Sequence, residues 1–175
     1  MDLGRRARDH ELIDAIDSLE RVAFEGSVWR AVREGRDPVL GHPSGGRWDP
    51  GTFDVVYTSL EPGGAIAELY FHLSRMPVFP TKPRYVLHEI KATTRETLEL
   101  ADLQQLEALG VARDRYTSIG YERTQEIGDI AFFLGFDGLI APSARASCQN
   151  LVIFTERLAP GSLEATGDRP IDWDR

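Results

Sequence analysis

The stretch from Gly45 to Leu73 carries three side chains that suit the binding of a charged small molecule. Arg47 lies in a turn, because the glycines and prolines around it disfavour a helix or a central strand. Tyr57 follows on a short β-branched and aromatic run, DVVYT, which predicts a strand over 54–58. Glu68 lies on the helix after that strand. A guanidinium group suits an anion and a carboxylate suits a positive charge, so we interpret this stretch as a substrate pocket.

Glu68 occupies a narrow polar strip on a helix that is otherwise apolar. Good helix formers predict a helix over 65–73, with Ile66, Leu69 and Leu73 on the face that packs against the sheet. Glu68 lies on the other side, with a glycine and a histidine one turn away in either direction. Two explanations remain for this residue taken alone: it forms the solvated edge of the helix, or it is a catalytic carboxylate.

Arg30 is a charged residue in a position where the pattern calls for an apolar one. The run SVWRAV predicts a strand over 27–32, and strand alternation places Val28, Arg30 and Val32 on one face. A buried guanidinium group needs an anionic partner, because an unpaired buried charge is costly. That partner is either an internal Asp or Glu side chain or a bound ligand.

Composition excludes several classes of protein. The formal net charge of −8 opposes general binding to nucleic acid, which needs a basic surface. A lone cysteine, Cys148, excludes an internal disulfide, and the four histidines lack a metal-binding spacing, so no metal site is predicted. No segment approaches the roughly 20 apolar residues that span a bilayer, and no apolar core follows the basic amino terminus. We therefore expect a cytoplasmic protein that does not bind membranes.

Turn and cap residues divide the chain into the elements of a single α+β domain over residues 1–175. Asp9 is predicted to cap a first helix that ends by Gly26, and Asp102 to cap a later helix that stops at Gly110. Strands and helices do not alternate regularly, which indicates a mixed, largely antiparallel sheet with flanking helices. The other predicted elements are strands over 85–92, 97–100, 138–141 and 151–155, a helix over 122–134 with Gly135 at its end, and a polar tail over 160–175.

Taken together, the motifs VWRAV, GGRW, DVVYT, AIAELY and APSAR resemble the RES domain, the toxin of Xre-RES toxin-antitoxin pairs. The arginine, glutamate and serine that give the domain its name correspond here to Arg30 or Arg47, to Glu68 and to Ser143. The resemblance covers about residues 28–155. Because several short motifs match in order, it is far more specific than any one of them.

The resemblance implies a fold similar to that of ADP-ribosyltransferase toxins, and an activity that consumes NAD. We expect a toxin that inhibits growth by cleaving the bond between nicotinamide and ribose. Phosphorolysis to nicotinamide and ADP-ribose phosphate is the expected course, with inorganic phosphate as co-substrate and no cofactor beyond NAD as substrate. The family also implies an Xre-type antitoxin as partner, with which the toxin is oligomeric. Two alternatives are protein ADP-ribosylation and a non-catalytic module that binds a nucleotide or a partner.

The resemblance also assigns roles to individual residues. Glu68, Arg30 and Tyr57 are the expected catalytic residues: Glu68 holds a ribose hydroxyl and stabilises the developing positive charge. Tyr57 offers a ring for nicotinamide to stack on and a hydroxyl to orient it. Two arginines suit the diphosphate of NAD, because guanidinium donates parallel hydrogen bonds. The residues expected to bind NAD are Arg30, Arg47, Trp48, Tyr57, Ser143 and Asn150.

This chain departs from the usual RES pattern at two positions. Asp49 stands where the family commonly has asparagine, after GGRW, and no glycine precedes Asn150. Asp49 adds negative charge beside the expected anion site. We therefore expect it to weaken the binding of diphosphate.

Overall fold

A six-stranded sheet forms the centre of the protein, whose residues 8–173 are described by the computed structural model. Its strands are β1 Arg21–Arg33, β2 Val55–Ser59, β3 Tyr85–Glu99, β4 Gly138–Pro142, β5 Gln149–Phe154 and β6 Leu163–Pro170. Its helices are α1 His10–Asp17, α2 Pro62–Ser74, α3 Leu103–Ala108 and α4 Glu122–Phe133, with short 3-10 turns at Arg113–Arg115 and Thr155–Arg157.

The sheet is mixed and largely antiparallel, as predicted. Its strand order is β1-β2-β5-β4-β3-β6, and β1 also pairs with β3, so β1, β2, β5, β4 and β3 form a closed ring to which β6 is added. The pair β3–β4 is parallel and the other pairs are antiparallel. The prediction of an α+β domain with flanking helices is thus confirmed.

Two apolar clusters fill the two sides of this sheet. The cluster inside the ring takes residues from all five of its strands: Val28, Val56, Ile90, Ala92, Ile140, Leu151 and Ile153. The larger cluster lies between the outer face of the sheet and the helices α1, α3 and α4, and includes Leu12, Leu98, Leu106, Ile127 and Phe154. Because both faces are buried, β4 and the last four residues of β5 are almost continuously apolar rather than alternating.

Several local predictions of helix ends are confirmed. The side chain of Asp9 accepts hydrogen bonds at the start of α1, and Asp102 accepts one from the backbone N–H of Gln105. Gly110 and Gly135 follow their helices with positive φ values of 90° and 87°, a conformation that glycine adopts without strain. Local chemistry therefore determines these boundaries.

Other predictions are wrong because long-range pairing overrides local signals. The first helix ends at Asp17, and Gly26 lies inside β1 opposite Ala92. The two strands predicted over 85–92 and 97–100 form one long strand, β3. The polar tail contains β6, which pairs with β3 although nearly all its residues are exposed. The sequence of one segment does not show which distant strand it will pair with, so it does not show how far the strand will extend.

Candidate active site

One cavity of about 520 Å³ brings most of the predicted site residues together. Its volume is typical of small-molecule sites, which span roughly 300–1,000 Å³. A larger cavity of about 830 Å³ lies along α4 and is lined by none of the predicted site residues. The predicted residues that line the smaller cavity are Arg30, Arg47, Trp48, Tyr57, Glu68 and Asn150.

Helix α2 carries Glu68 and lies close against the sheet. The helix begins at Pro62, earlier than predicted, because proline suits the first turn, where its missing N–H has no intrahelical partner. A Cβ added at Gly64 would lie 2.2 Å from Ser59 Oγ and 2.5 Å from Cys148 Sγ. Glycine therefore permits this close contact, and Glu68, one turn further along, is brought into the cavity.

The carboxylate of Glu68 is oriented by two neutral donors, one from the β4–β5 connection and one from β5. Its Oε1 accepts hydrogen bonds from Ser143 Oγ at 3.2 Å and from Asn150 Nδ2 at 3.3 Å. None of the hydrogen bonds found among residues 8–173 reaches Glu68 Oε2, and Asn150 Oδ1 is buried without a partner there. Buried polar atoms normally have partners. The cavity therefore presents one free acceptor, Glu68 Oε2, to a ligand, whereas Asn150 Oδ1 is shielded from it. Ser143 acts on Glu68 without lining the cavity itself.

Asp49 is a structural residue that holds the loop carrying Arg47. It is fully buried, and its two oxygens accept hydrogen bonds from the backbone N–H groups of Ser44, Gly45 and Gly46 and from the Ser44 hydroxyl. Burial alone would raise the pKa of Asp49, but these donors and the hydroxyl of Tyr57 lower it below its ordinary value. Its negative charge thus faces the loop backbone, whose N–H groups stabilise it.

Tyr57 is tied to the same loop. Its hydroxyl donates to Asp49 Oδ1 and accepts from the backbone N–H of Trp48 at 3.0 Å. Burial, together with the nearby Asp49 charge, raises the pKa of Tyr57 well above its ordinary value. The hydroxyl expected to orient nicotinamide is therefore occupied within the protein, although Tyr57 still lines the cavity. Trp48 is buried in the core, 6.5 Å from Tyr116 between ring centroids.

Arg47 is held by the loop that precedes α4. Its guanidinium donates to the carbonyl oxygens of Tyr116 and Ser118, and its Cζ lies 5.0 Å from the ring centre of Tyr116 and 4.7 Å from that of Tyr121. Two aromatic faces stabilise the cation without neutralising it. Its positive charge therefore remains available to an anion.

Arg30 lies on β1 and also finds backbone partners. Its Nη1 donates to the carbonyl oxygens of Pro38 at 2.8 Å and Leu40 at 3.5 Å. Burial lowers the pKa of Arg30, while the charge of Asp37 opposes that change. No salt bridge to Arg30 occurs among residues 8–173. The internal ion pair considered from the sequence is thus replaced by carbonyl contacts.

Two further arginines, which sequence reasoning did not identify, lie beside the site. Arg145 places its Cζ 3.3 Å from the ring centre of Phe71, and Arg75, which lines the cavity, lies 5.5 Å from the same ring centre. The signal for Arg145 was present in the APSAR motif, two residues after Ser143. Only the folded connection between β4 and β5 places it over α2.

His72 adds an ionisable group to the lining of the cavity. Partial burial lowers its pKa, and the charges of Arg75, Arg145 and Arg47 lower it further, whereas Glu68 raises it. The imidazole is therefore neutral at pH 7.

Metal ligation and membrane insertion find no support in the described part of the chain. Residues 8–173 contain no cluster of His, Cys, Asp or Glu side chains placed to hold a metal ion. In the same range, every helix is too short or too polar to cross a bilayer.

Comparison with known proteins identifies the family. Residues 27–174 match the RES domain. The chain belongs to the RES domain family. The RES relatives include the NAD(+) phosphorylase MbcT of Mycobacterium tuberculosis and that of Mycobacterium bovis, each 26% identical over 165 residues, which cover 90% of this chain and 89% of the relative.

A solved structure has the same architecture. The structure of the M. tuberculosis MbcT-MbcA toxin-antitoxin complex superposes with a TM-score of 0.84, at 25% sequence identity, and covers 94% of this chain and 94% of the matched chain. The fold and family inferred from the motifs are thereby confirmed. The match also extends beyond Phe154, into the tail that contains β6.

Proposed function

We propose that this RES domain degrades NAD by phosphorolysis and acts as the toxin of a toxin-antitoxin pair. The reaction forms a bond between a phosphate oxygen and C1′ of the nicotinamide ribose and breaks the bond from C1′ to nicotinamide. The bonding electrons leave with nicotinamide, which becomes neutral, and the other product is ADP-ribose phosphate. The relatives named NAD(+) phosphorylase support this choice among NAD-consuming reactions.

The free acceptor that faces the cavity suits a ribose ring. Glu68 Oε2 has no donor among the described residues and is not buried, and the hydroxyl groups of ribose supply donors. A ribose held there lies next to the Glu68 carboxylate. When the bond to nicotinamide breaks, positive charge develops on the sugar, and a carboxylate already oriented by Ser143 and Asn150 stabilises that charge without reorganising.

The cationic side chains of the cavity suit the diphosphate of NAD. Arg30 and Arg47 both line the cavity. The guanidinium group of each donates to backbone carbonyl oxygens and not to a carboxylate. Their charge is therefore not cancelled locally, although the whole chain carries −8. Tyr57 contributes its ring to the wall and its hydroxyl to Asp49, so its role is stacking and support of the Arg47 loop.

The observation that carries the proposal is the Glu68 carboxylate, oriented through Oε1 and open at Oε2, in a cavity shared with two arginines. The test is proton and phosphorus NMR of NAD incubated with the purified protein, with and without inorganic phosphate. We expect nicotinamide release that requires phosphate. In Glu68→Gln, an isosteric change, the rate should fall on the order of 100-fold or more, because the charge is lost while Oε1 is retained.

A matched control uses the glutamate that immediately precedes the same helix. Glu61 precedes α2, is exposed, and its side chain makes no capping hydrogen bond, so Glu61→Gln should keep the wild-type rate. Nicotinamide release without phosphate would indicate hydrolysis, and label transferred from NAD to protein would indicate ADP-ribosylation. If NAD stays intact in every sample, or if Glu68→Gln is as active as Glu61→Gln, the proposal fails.

The proposed toxin is restrained in the cytoplasm by an antitoxin of the Xre type, in an oligomeric complex. A solved relative that was crystallised as a toxin-antitoxin complex supports a protein partner. In cells, expression of the wild-type chain should arrest growth, and Glu68→Gln should relieve that arrest.

A further inference from the structure

Phosphorolysis needs a second anion beside NAD, and the side chains that would hold it have to be separate from those that hold the diphosphate. Arg30 and Arg47 are each already engaged by backbone carbonyls, Arg30 by the loop after β1 and Arg47 by the loop before α4. A cluster of cations at another point near Glu68 would meet this need. The residues around Phe71, at the carboxyl-terminal end of α2, form such a cluster.

Arg145 is placed next to the Glu68 carboxylate by one serine. Ser143 Oγ donates to Glu68 Oε1 at 3.2 Å and accepts from the backbone N–H of Arg145 at 3.1 Å and from that of Ala146 at 3.2 Å. The same hydroxyl thus orients the carboxylate and shapes the turn that carries Arg145.

The Arg145 guanidinium is held firmly but retains free donors. Its Cζ lies 3.3 Å from the ring centre of Phe71, and Nη1 donates to the carbonyl oxygen of Thr117 at 2.7 Å. No hydrogen bond found among residues 8–173 uses its Nε or Nη2. These two groups form the fork that binds two oxygens of one phosphate.

Arg75 adds a second cation to the same ring. It follows α2, lines the cavity, and lies 5.5 Å from the Phe71 ring centre. Within the described residues, neither Arg75 nor Arg145 has a carboxylate within salt-bridge distance. Two guanidinium groups near one ring and without a carboxylate partner, in a chain with a net charge of −8, make the end of α2 locally positive and favour an anion there.

We propose that Arg145, assisted by Arg75, binds the attacking inorganic phosphate beside Glu68. This inference rests on the proposed NAD phosphorolysis. The bound phosphate presents an oxygen to C1′ of the ribose, the bond from C1′ to nicotinamide breaks, and the proton of the phosphate stays on the product or passes to water. Arg145 then determines the use of phosphate rather than the affinity for NAD.

The test separates phosphate from NAD by steady-state kinetics. For Arg145→Gln we expect the phosphate KM to rise about tenfold or more, because a charged two-point contact is lost, while the NAD KM stays within about twofold. Arg145→Lys keeps the charge but not the two-point contact, so its phosphate KM should lie between those of the wild type and Arg145→Gln. Arg75→Gln, at an exposed position, should raise the phosphate KM less. Arg169→Gln, on the exposed strand β6, is the matched control and should change neither constant.

Each other outcome overturns the inference in a recognisable way. If Arg145→Gln raises only the NAD KM, Arg145 binds the diphosphate instead. If it lowers kcat and leaves both KM values unchanged, Arg145 has a merely structural role. If the wild-type chain does not consume NAD, the proposed function fails instead. Phosphorus line broadening of inorganic phosphate by the wild-type chain, absent with Arg145→Gln, would then support the phosphate site by itself, and equal broadening by both chains would refute it.

Discussion

Replacement of Gly128 by alanine tests how α4 positions the loop that carries Arg47. A Cβ at Gly128 would lie 1.7 Å from the carbonyl oxygen of Trp48, whereas real Cβ atoms essentially never approach within 3.0 Å. The helix and the loop must therefore separate by about 1.3 Å. The obstructing atom is backbone, so no side-chain rotation relieves the clash.

Two opposing terms determine the magnitude. Alanine gains about 1 kcal/mol over glycine inside a helix, and overpacking typically costs about 1–3 kcal/mol. Because the clash of Gly128→Ala with Trp48 O involves backbone, we take the upper value and expect a net destabilisation of about 2 kcal/mol. For a chain of this size that lowers Tm by about 4–8 °C. A shift of about 1 Å near Arg47 should also lower kcat/KM on the order of 100-fold.

The measurement combines thermal unfolding with NAD turnover. Gly63→Ala is the matched control, because Gly63 lies in helix α2, its would-be Cβ meets no atom within 4 Å apart from its chain neighbours and the backbone of its own helix, and its φ is not positive. We expect Gly63→Ala to be as stable as the wild type or more stable, and equally active. If Gly128→Ala behaves like Gly63→Ala in both assays, the close contact with Trp48 does not exist and the reasoning is refuted.

The remaining predictions concern Asp49 and its partner. Asp49→Asn should destabilise the fold by about 1–3 kcal/mol at pH 7, because an amide NH2 cannot accept the backbone N–H groups of Ser44 and Gly45. The folded-state pKa of Asp49 is lowered, so its stabilisation is present above its ordinary value of 3.8 and is lost as pH falls through the folded-state value. Urea unfolding should show a smaller difference in the free energy of unfolding between the wild type and Asp49→Asn at pH 3 than at pH 7. The same difference at both pH values would contradict this. Tyr57→Phe removes the hydrogen bond to Asp49 and should lower stability by about 1.5–3 kcal/mol. Its kcat should change less than about tenfold, and a large loss of kcat with an unchanged Tm would instead place the hydroxyl on the substrate.

The amino-acid sequence by itself determined the features that depend on local chemistry. Cap residues such as Asp102 and stop residues such as Gly110 and Gly135 act within a few residues of their helices, so their patterns predicted the boundaries correctly. The order of short motifs identified the RES family, because each motif is a contiguous run of residues that can be recognised without the folded structure. Glu68 was selected as the candidate carboxylate for the same reason.

Only the tertiary structure decided which side chains meet, since hydrogen bonds and ion contacts form between residues far apart in sequence. Asp49 looked like an added charge beside an anion site, yet its oxygens hold the backbone of the Arg47 loop. The hydroxyl of Tyr57 is committed to Asp49. Arg145 was within a recognised motif, but its position over Phe71 depends on the β4–β5 connection returning across α2. The strand β6 likewise exists because β3 offers it a hydrogen-bonding edge, which no local pattern in a polar segment reveals.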